Sequence, residues 1–215
     1  MIFEDRFHAG ELLSKKLSKL KLKKNQSIVV AIPRGGVVVG AVIAQRLGID
    51  VVPLVIKKLS APFNSELAIG ATVSFGKPVL DRWLIEELKV SSDYLRKEIV
   101  KKKKEARRRE NYLKLSFSPN EFTGKTVIVV DDGMATGQTV KAAAKILRGL
   151  GVKELILGVP CASPQALDLV KADFGKIVCL ESSPNFMAVG QFYRDFRPVD
   201  DLEVKQLLSQ LTISH

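Results

Sequence analysis

Two cysteines and two histidines are all that this 215-residue chain offers of the soft metal ligands. Cys161 and Cys179 lie in separate apolar runs, and His8 and His215 have no Cys or His neighbours in sequence. The pattern argues against a zinc site. It also argues against a disulfide scaffold and fits buried thiols in a reducing compartment, so a cytoplasmic location is expected. No window approaches the roughly 18 uninterrupted apolar residues of a membrane helix. The opening "MIFEDRFHAG" lacks the basic-then-apolar build of a secretory signal. Internal repeats and low-complexity linkers are missing as well, so the chain reads as a single domain over 1–215.

What is present is a globular balance, with 46% apolar and 27% charged residues. Bases outnumber acids 34 to 23, a net charge of +11, so the chain should attract anions: nucleic acid, acidic lipid or phosphorylated small molecules. The excess sits in "KKLSKLKLKK" (15–24) and "KKKKEARRR" (101–109). Either run reads equally as a solvated helix face.

Short apolar runs alternate with helical stretches. Strands are expected at 27–32, 51–58, 125–130, 154–160 and 176–180, with Pro53 holding the start of the second outside the ladder. Helices are expected at 37–47, 137–150, in "SPQALDLVKA" and in the tail "VDDLEVKQLLSQL". Continuous apolar strands separated by helices imply an α/β fold with an open, mainly parallel five-stranded sheet covered on both faces. Residues 59–122 interrupt the alternation and read as an insertion. It holds two extended pieces around "FGKP" and two helices, the second capped by Ser91 or Ser92.

Ligands of such sheets bind beyond the C-terminal strand ends. Those ends carry "PRGG" (33–36), "KK" (57–58), "DDGMATGQT" (131–139) and "ESSPNFMAVGQFYRDF" (181–196). In the third, glycines and Ala135 admit close backbone approach, and Thr136 and Thr139 add hydroxyls. The helix that follows aims its free amides into the loop, which makes a phosphate cradle. It is not a P-loop, because the G-x-x-x-x-G-K-[ST] spacing is missing. Asp131 and Asp132 would repel a phosphate and suit a neighbouring group with hydroxyls, or a metal. A ribose 5-phosphate meets both needs.

An apolar strand followed by D-D-x-x-x-T-G-x-T resembles the signature of the type I phosphoribosyltransferases, and "PRGG" is similar to their pyrophosphate loop. "PFNSELAIG" (62–70) and "VGQFY" (189–193) resemble a bacterial and archaeal branch of that family. The resemblance spans about residues 27–196. It implies transfer of phosphoribose from phosphoribosyl pyrophosphate (PRPP) to a nitrogenous acceptor, with a nucleobase expected, and Mg²⁺ as cofactor. Asp131 and Asp132 would hold the ribose hydroxyls directly or through Mg²⁺. Ala135, Thr136, Gly137, Gln138 and Thr139 would hold the 5-phosphate. Arg34, Gly35 and Gly36 would hold pyrophosphate in a loop that often contains a non-proline cis peptide. Lys57 or Lys58 would join them, with Arg34 and Lys57 catalytic beside the two aspartates. The insertion should carry the family's mobile loop, and one of Arg107, Arg108 and Arg109, taken as Arg108, could fold onto pyrophosphate. Glu66 reads as a loop anchor or a site residue. Phe192 and Tyr193 read as stacking surfaces for the acceptor or as core.

Ala135 stands where hypoxanthine-guanine members carry an aspartate, which argues against a copy of their mechanism; adenine members share "ATG". The resemblance also implies a homodimer and a small hood built from residues 1–26 and 181–215. Two other readings stay open. One is a PRPP- or nucleotide-sensing regulator that binds nucleic acid through the basic segments, although 1–26 offers no clear helix-turn-helix. The other is hydrolysis, with water as acceptor.

Overall fold

The computed structural model describes residues 1–115 and 118–212; His215 lies outside them. Five parallel strands form the main sheet: β1 (Ser27–Ala31), β2 (Asp50–Pro53), β6 (Thr126–Val130), β7 (Glu154–Ala162) and β8 (Lys176–Ser182), in the order β2-β1-β6-β7-β8. Between them run β3 (Lys57–Ala61), β4 (Asn64–Thr72) and β5 (Val79–Leu80), an antiparallel sheet of their own. The α-helices are α1 (Arg6–Leu17), α2 (Gly35–Leu47), α3 (Arg82–Glu87), α4 (Ser92–Tyr112), α5 (Gln138–Arg148), α6 (Pro164–Val170) and α7 (Asp201–Thr212). Among the described residues, no helix is long and apolar enough to cross a membrane.

The two-residue period of the strands sorts the core. Val29, Ile128, Val130 and Ile156 meet Leu13 and Leu17 of α1 and Val39 and Ile43 of α2. Ile28, Val30, Val127, Val129, Leu155 and Leu157 meet α5, α6 and Phe122 on the other face. Both faces are buried, which is why these strands read as unbroken apolar runs. From β1 the chain moves outward to β2, then returns to β6 on the other side of β1. The order reverses between β1 and β6, so the crevice that binds ligands in such sheets opens at their C-terminal ends.

Three expectations change. The run 51–58 is not one strand: β2 ends at Pro53 and β3 begins at Lys57. Pro53 sits inside the ladder, paired with Ala31; β2 is an edge strand, where a missing N–H costs no ladder bond. The insertion holds the expected helices and extended pieces, and its described residues pack together around a small sheet of their own. Leu59, Ala61 and Ile69 of the small sheet pack against Leu84 and Ile85 of α3 and Tyr94, Leu95 and Ile99 of α4. Ser91 is the cap of α4, accepting from the Tyr94 amide at 3.2 Å. Finally, α1 is a layer of the core and not part of a hood. The segments that meet beyond the sheet edge are short: Phe3 pairs with Tyr193, the Phe3 amide donates to Phe192 O at 2.7 Å, and the Arg194 amide donates to Phe3 O at 2.8 Å.

Candidate active site

The crevice between β1 and β6 is walled by two loops that touch. After β1 comes "PRGG", with the Pro33–Arg34 peptide cis, as the resemblance implies. After β6 come Asp131 and Asp132. Their contact explains the glycines: a Cβ on Gly35 would fall 1.8 Å from Asp132 Oδ2, and one on Gly36 would fall 2.9 Å from the Asp131 Cα. Any larger residue at 35 would displace the carboxylate.

The loop beyond the aspartates is strapped down rather than loose. The Met134 amide donates to Cys161 O at 2.9 Å, and the Ser163 amide donates to Met134 O at 3.0 Å. The Ser163 hydroxyl donates to Ala135 O at 2.7 Å. Gly137 then turns the chain with φ +74° and starts α5, with no side chain capping it. A positive φ is a glycine conformation. The amides of the first turn of α5 have no partners within the helix. Ala135, Thr136, Gln138 and Thr139 are exposed around them. Arg34, also exposed, heads α2, again without a side-chain cap. By contrast Asp5, Asp81, Ser91 and Ser163 cap α1, α3, α4 and α6 with their side chains. Asp200 likewise accepts from the Glu203 amide at the start of α7. Among the described residues α2 and α5 are the α-helices without a side-chain cap; both point at the crevice, and each offers an anion free amides and a positive dipole end.

The electrostatics on the acid side are unusual. Burial, with the charge of Asp132 next to it, pushes the Asp131 carboxyl well above the ordinary carboxylate range. Asp131 Oδ1 accepts from the Asp132 amide at 2.9 Å. Asp132 is already paired: Arg6 Nε donates to its Oδ2 at 2.7 Å, and both side chains are largely buried. Arg6 also donates to Arg197 O at 3.0 Å, and its guanidinium lies 3.9 Å from the centre of the Phe196 ring.

Arg6 and Phe196 escaped the sequence reading. One signal was there: a cation in the first turn of α1 opposes the helix dipole, which suggests that it serves something outside the helix. Nothing local ties it to a residue 126 positions away.

The other candidates are placed differently. Lys57 and Lys58 do not end a strand of the main sheet; Lys57 lies 4.0 Å from Glu105 and Lys58 lies 3.6 Å from Glu66. Glu66 is thus engaged at the β3–β4 hairpin. Arg107 lies 3.9 Å from Glu110, Arg109 pairs with Asp201 at 2.6 Å, and Arg108 is exposed on α4. Phe192 and Tyr193 are buried at 5% and 6% exposure, packed with Phe3, Phe186 and Phe196. The Tyr193 hydroxyl donates to Asp132 O at 2.6 Å. Of the two readings of these rings, the burial fits core for both, and Tyr193 braces the acidic loop.

Among the described residues no group of three or more His, Cys, Asp or Glu could hold a metal. Two adjacent carboxylates still suit Mg²⁺, which commonly takes one or two protein carboxylates and completes its shell with substrate phosphates and water. Asp131, free of the Arg6 pair, is the better placed of the two.

Comparison with known proteins agrees with this geometry. Two Mycobacterium tuberculosis proteins, from strains CDC 1551 and H37Rv, bear provisional phosphoribosyl transferase names and are each 34% identical over 213 residues. The match covers 97% of this chain and 47% of each of theirs, so the chain spans about half the length of these curated relatives. The crystal structure of TT1426 from Thermus thermophilus is 35% identical and superimposes with a TM-score of 0.85, over 98% of this chain and 99% of that one. A Neisseria gonorrhoeae protein shares the fold at 13% identity and a TM-score of 0.51, over 97% and 96% of the two chains. Residues 4–197 match the family described as phosphoribosyl transferase domain. The chain belongs to that family of transferases.

Proposed function

We propose that this chain is a Mg²⁺-dependent phosphoribosyltransferase that moves phosphoribose from PRPP to a nitrogenous acceptor, with a nucleobase expected, and releases pyrophosphate. The observation that carries the reading is the meeting of two uncapped helix N-termini with two partly buried aspartates at the switch point. The first binds anions and the second binds hydroxyls or a cation, and PRPP presents all of these.

In this reading the amides of residues 135–139 and the hydroxyls of Thr136 and Thr139 bind the 5-phosphate. Asp131 accepts hydrogen bonds from the ribose hydroxyls, and Asp132 joins it when its Arg6 pair opens or shares. Arg34 and the amides of Gly35 and Gly36 bind the diphosphate. As the C1–O bond breaks and a C1–N bond forms, negative charge gathers on the leaving pyrophosphate and positive charge on the ribose ring. Fixed dipoles and Arg34 stabilise the first, and the aspartates stabilise the second. The acceptor nitrogen gives up its proton to the departing pyrophosphate or to water. Mg²⁺ bound with the diphosphate would supply further positive charge to the leaving group. A homodimer in the cytoplasm remains the expected setting.

The test is pyrophosphate release from PRPP and Mg²⁺ across a panel of purine and pyrimidine bases. Release should depend on the base and fall at least about a hundredfold in the Asp131→Asn/Asp132→Asn variant. Release without any base would indicate hydrolysis. PRPP binding without release, from folded protein, would overturn the transferase reading in favour of a sensor.

A further inference from the structure

α4 carries nine basic and four acidic residues; six of the bases are exposed, while Lys102, Lys103 and Arg109 turn towards the body. Glu98 and Glu110 are buried against the body, and the Glu98 carboxylate accepts from the Ser60 amide at 3.4 Å. Glu105 is half-buried, 3.2 Å from Lys102 and 4.0 Å from Lys57. The outward face is mainly basic, with Val100 exposed among the bases. Lys97, Lys101, Lys104 and Arg108 are exposed at spacings of four, three and four, which aligns them in one stripe about 16 Å long. Arg96 and Arg107 flank it, exposed as well. Asp93, 2.8 Å from Lys97, is the acid at the head of this face. Lys101, Lys104 and Arg108 have no ion pair among the described residues.

Such a stripe works against the helix. Like charges four apart destabilise it, and the glutamates that could relieve them have been spent on the inner face. A merely solvated surface would intersperse the signs. We propose that the outer face of α4 binds the sugar–phosphate backbone of a nucleic acid without sequence preference. Charge complementarity is the argument. A row of extended cations at one-turn intervals can displace counterions along a polyanion. Lysine and arginine contacts of this kind position a chain without reading its bases. A membrane surface fits less well. An interfacial helix inserts its apolar side, and here Tyr94, Leu95 and Ile99 are already packed on the small sheet.

The experiment is fluorescence anisotropy of a labelled single-stranded oligonucleotide of mixed sequence, titrated with the full chain at several salt concentrations. Four phosphate contacts predict a slope of log K against log salt near about −2.8, a loss of about fiftyfold between roughly 50 and 200 mM salt. Lys101→Glu/Lys104→Glu should lower that slope to about −1.4 and weaken binding at least about tenfold. Lys19→Glu/Lys23→Glu makes the same change of charge on the other basic run, where both lysines are exposed, and should stay within about twofold of the unaltered chain by the phosphate-contact count. Equal losses in the two variants would mean general electrostatic attraction and would overturn the proposal. So would the absence of binding at low salt, or binding confined to phosphatidylserine vesicles. Circular dichroism of both variants separates these outcomes from unfolding.

Discussion

Two regions of this molecule attract anions, and they are built in opposite ways. At the edge of the main sheet the positive field comes from backbone. α2 and α5 start uncapped at Arg34 and Gly137, and the carboxylates beside them are partly buried and tightly packed. On α4 it comes from side chains in water, on a helix whose own start is capped by Ser91 and carries Asp93 in its first turn. Backbone dipoles are fixed by the fold and work in a sheltered crevice. Exposed ammonium groups are mobile and screened beyond about 8 Å at physiological salt. Substitution at the edge should therefore damage folding and ligand binding together, whereas substitution on α4 should alter association alone.

The comparison is tested most severely at Arg6. Arg6→Ala leaves Asp132 partly buried without its partner and removes the guanidinium from Phe196. Breaking such a pair costs about 3 kcal/mol or more, and denaturant unfolding should register it. A loss no larger than that of Lys101→Glu/Lys104→Glu would show that the pair is not held in solution. The next effect in size is at Gly35. A methyl there must displace Asp132, so Gly35→Ala should cost about 1–3 kcal/mol of overpacking and weaken PRPP binding measured by calorimetry. Unchanged affinity would separate the two loops that the structure brings into contact.

The smallest effect on the stability of the ligand-free protein concerns Asp131 and is read as a pH dependence. Its carboxyl is raised by burial and by Asp132, so the native state holds the proton more tightly than the unfolded chain does. That contribution is complete below the unfolded carboxylate value and is lost as pH rises through the native one. Ligand-free protein should therefore lose part of its stability as pH climbs above the carboxylate range. Asp131→Asn should flatten that decline while abolishing the stabilisation that PRPP gives. Parallel curves for the two proteins would mean that the charge of Asp131 is already compensated at the edge.

Much of the main sheet was legible because its determinants are local. Runs such as "SIVVA" and "TVIVV", short and rich in β-branched residues, read as buried strands, and the strand-end rule then directs attention to "PRGG" and "DDGMATGQT". The same locality misled at 51–58. Eight mostly apolar residues read as one strand, yet three of them bridge two different sheets. The insertion was legible as helices and extended pieces but not as a packed unit, because the pairing of β3 with β4 and the cover of α4 depend on contacts far apart in sequence.

By itself the sequence determined the parallel sheet, its exposed binding edge and the phosphate-cradling loop, since each follows from side-chain periodicity or from backbone chemistry within a few residues. Only the tertiary structure decided which charges meet. It brought Arg6 onto Asp132, sent Lys57 and Lys58 to glutamates of the inserted unit, buried Phe192 and Tyr193, and left six of the nine bases of α4 exposed. Pairing of charges depends on distance in space, and the hydrophobic packing of α1, α4 and the segment after β8 sets those distances.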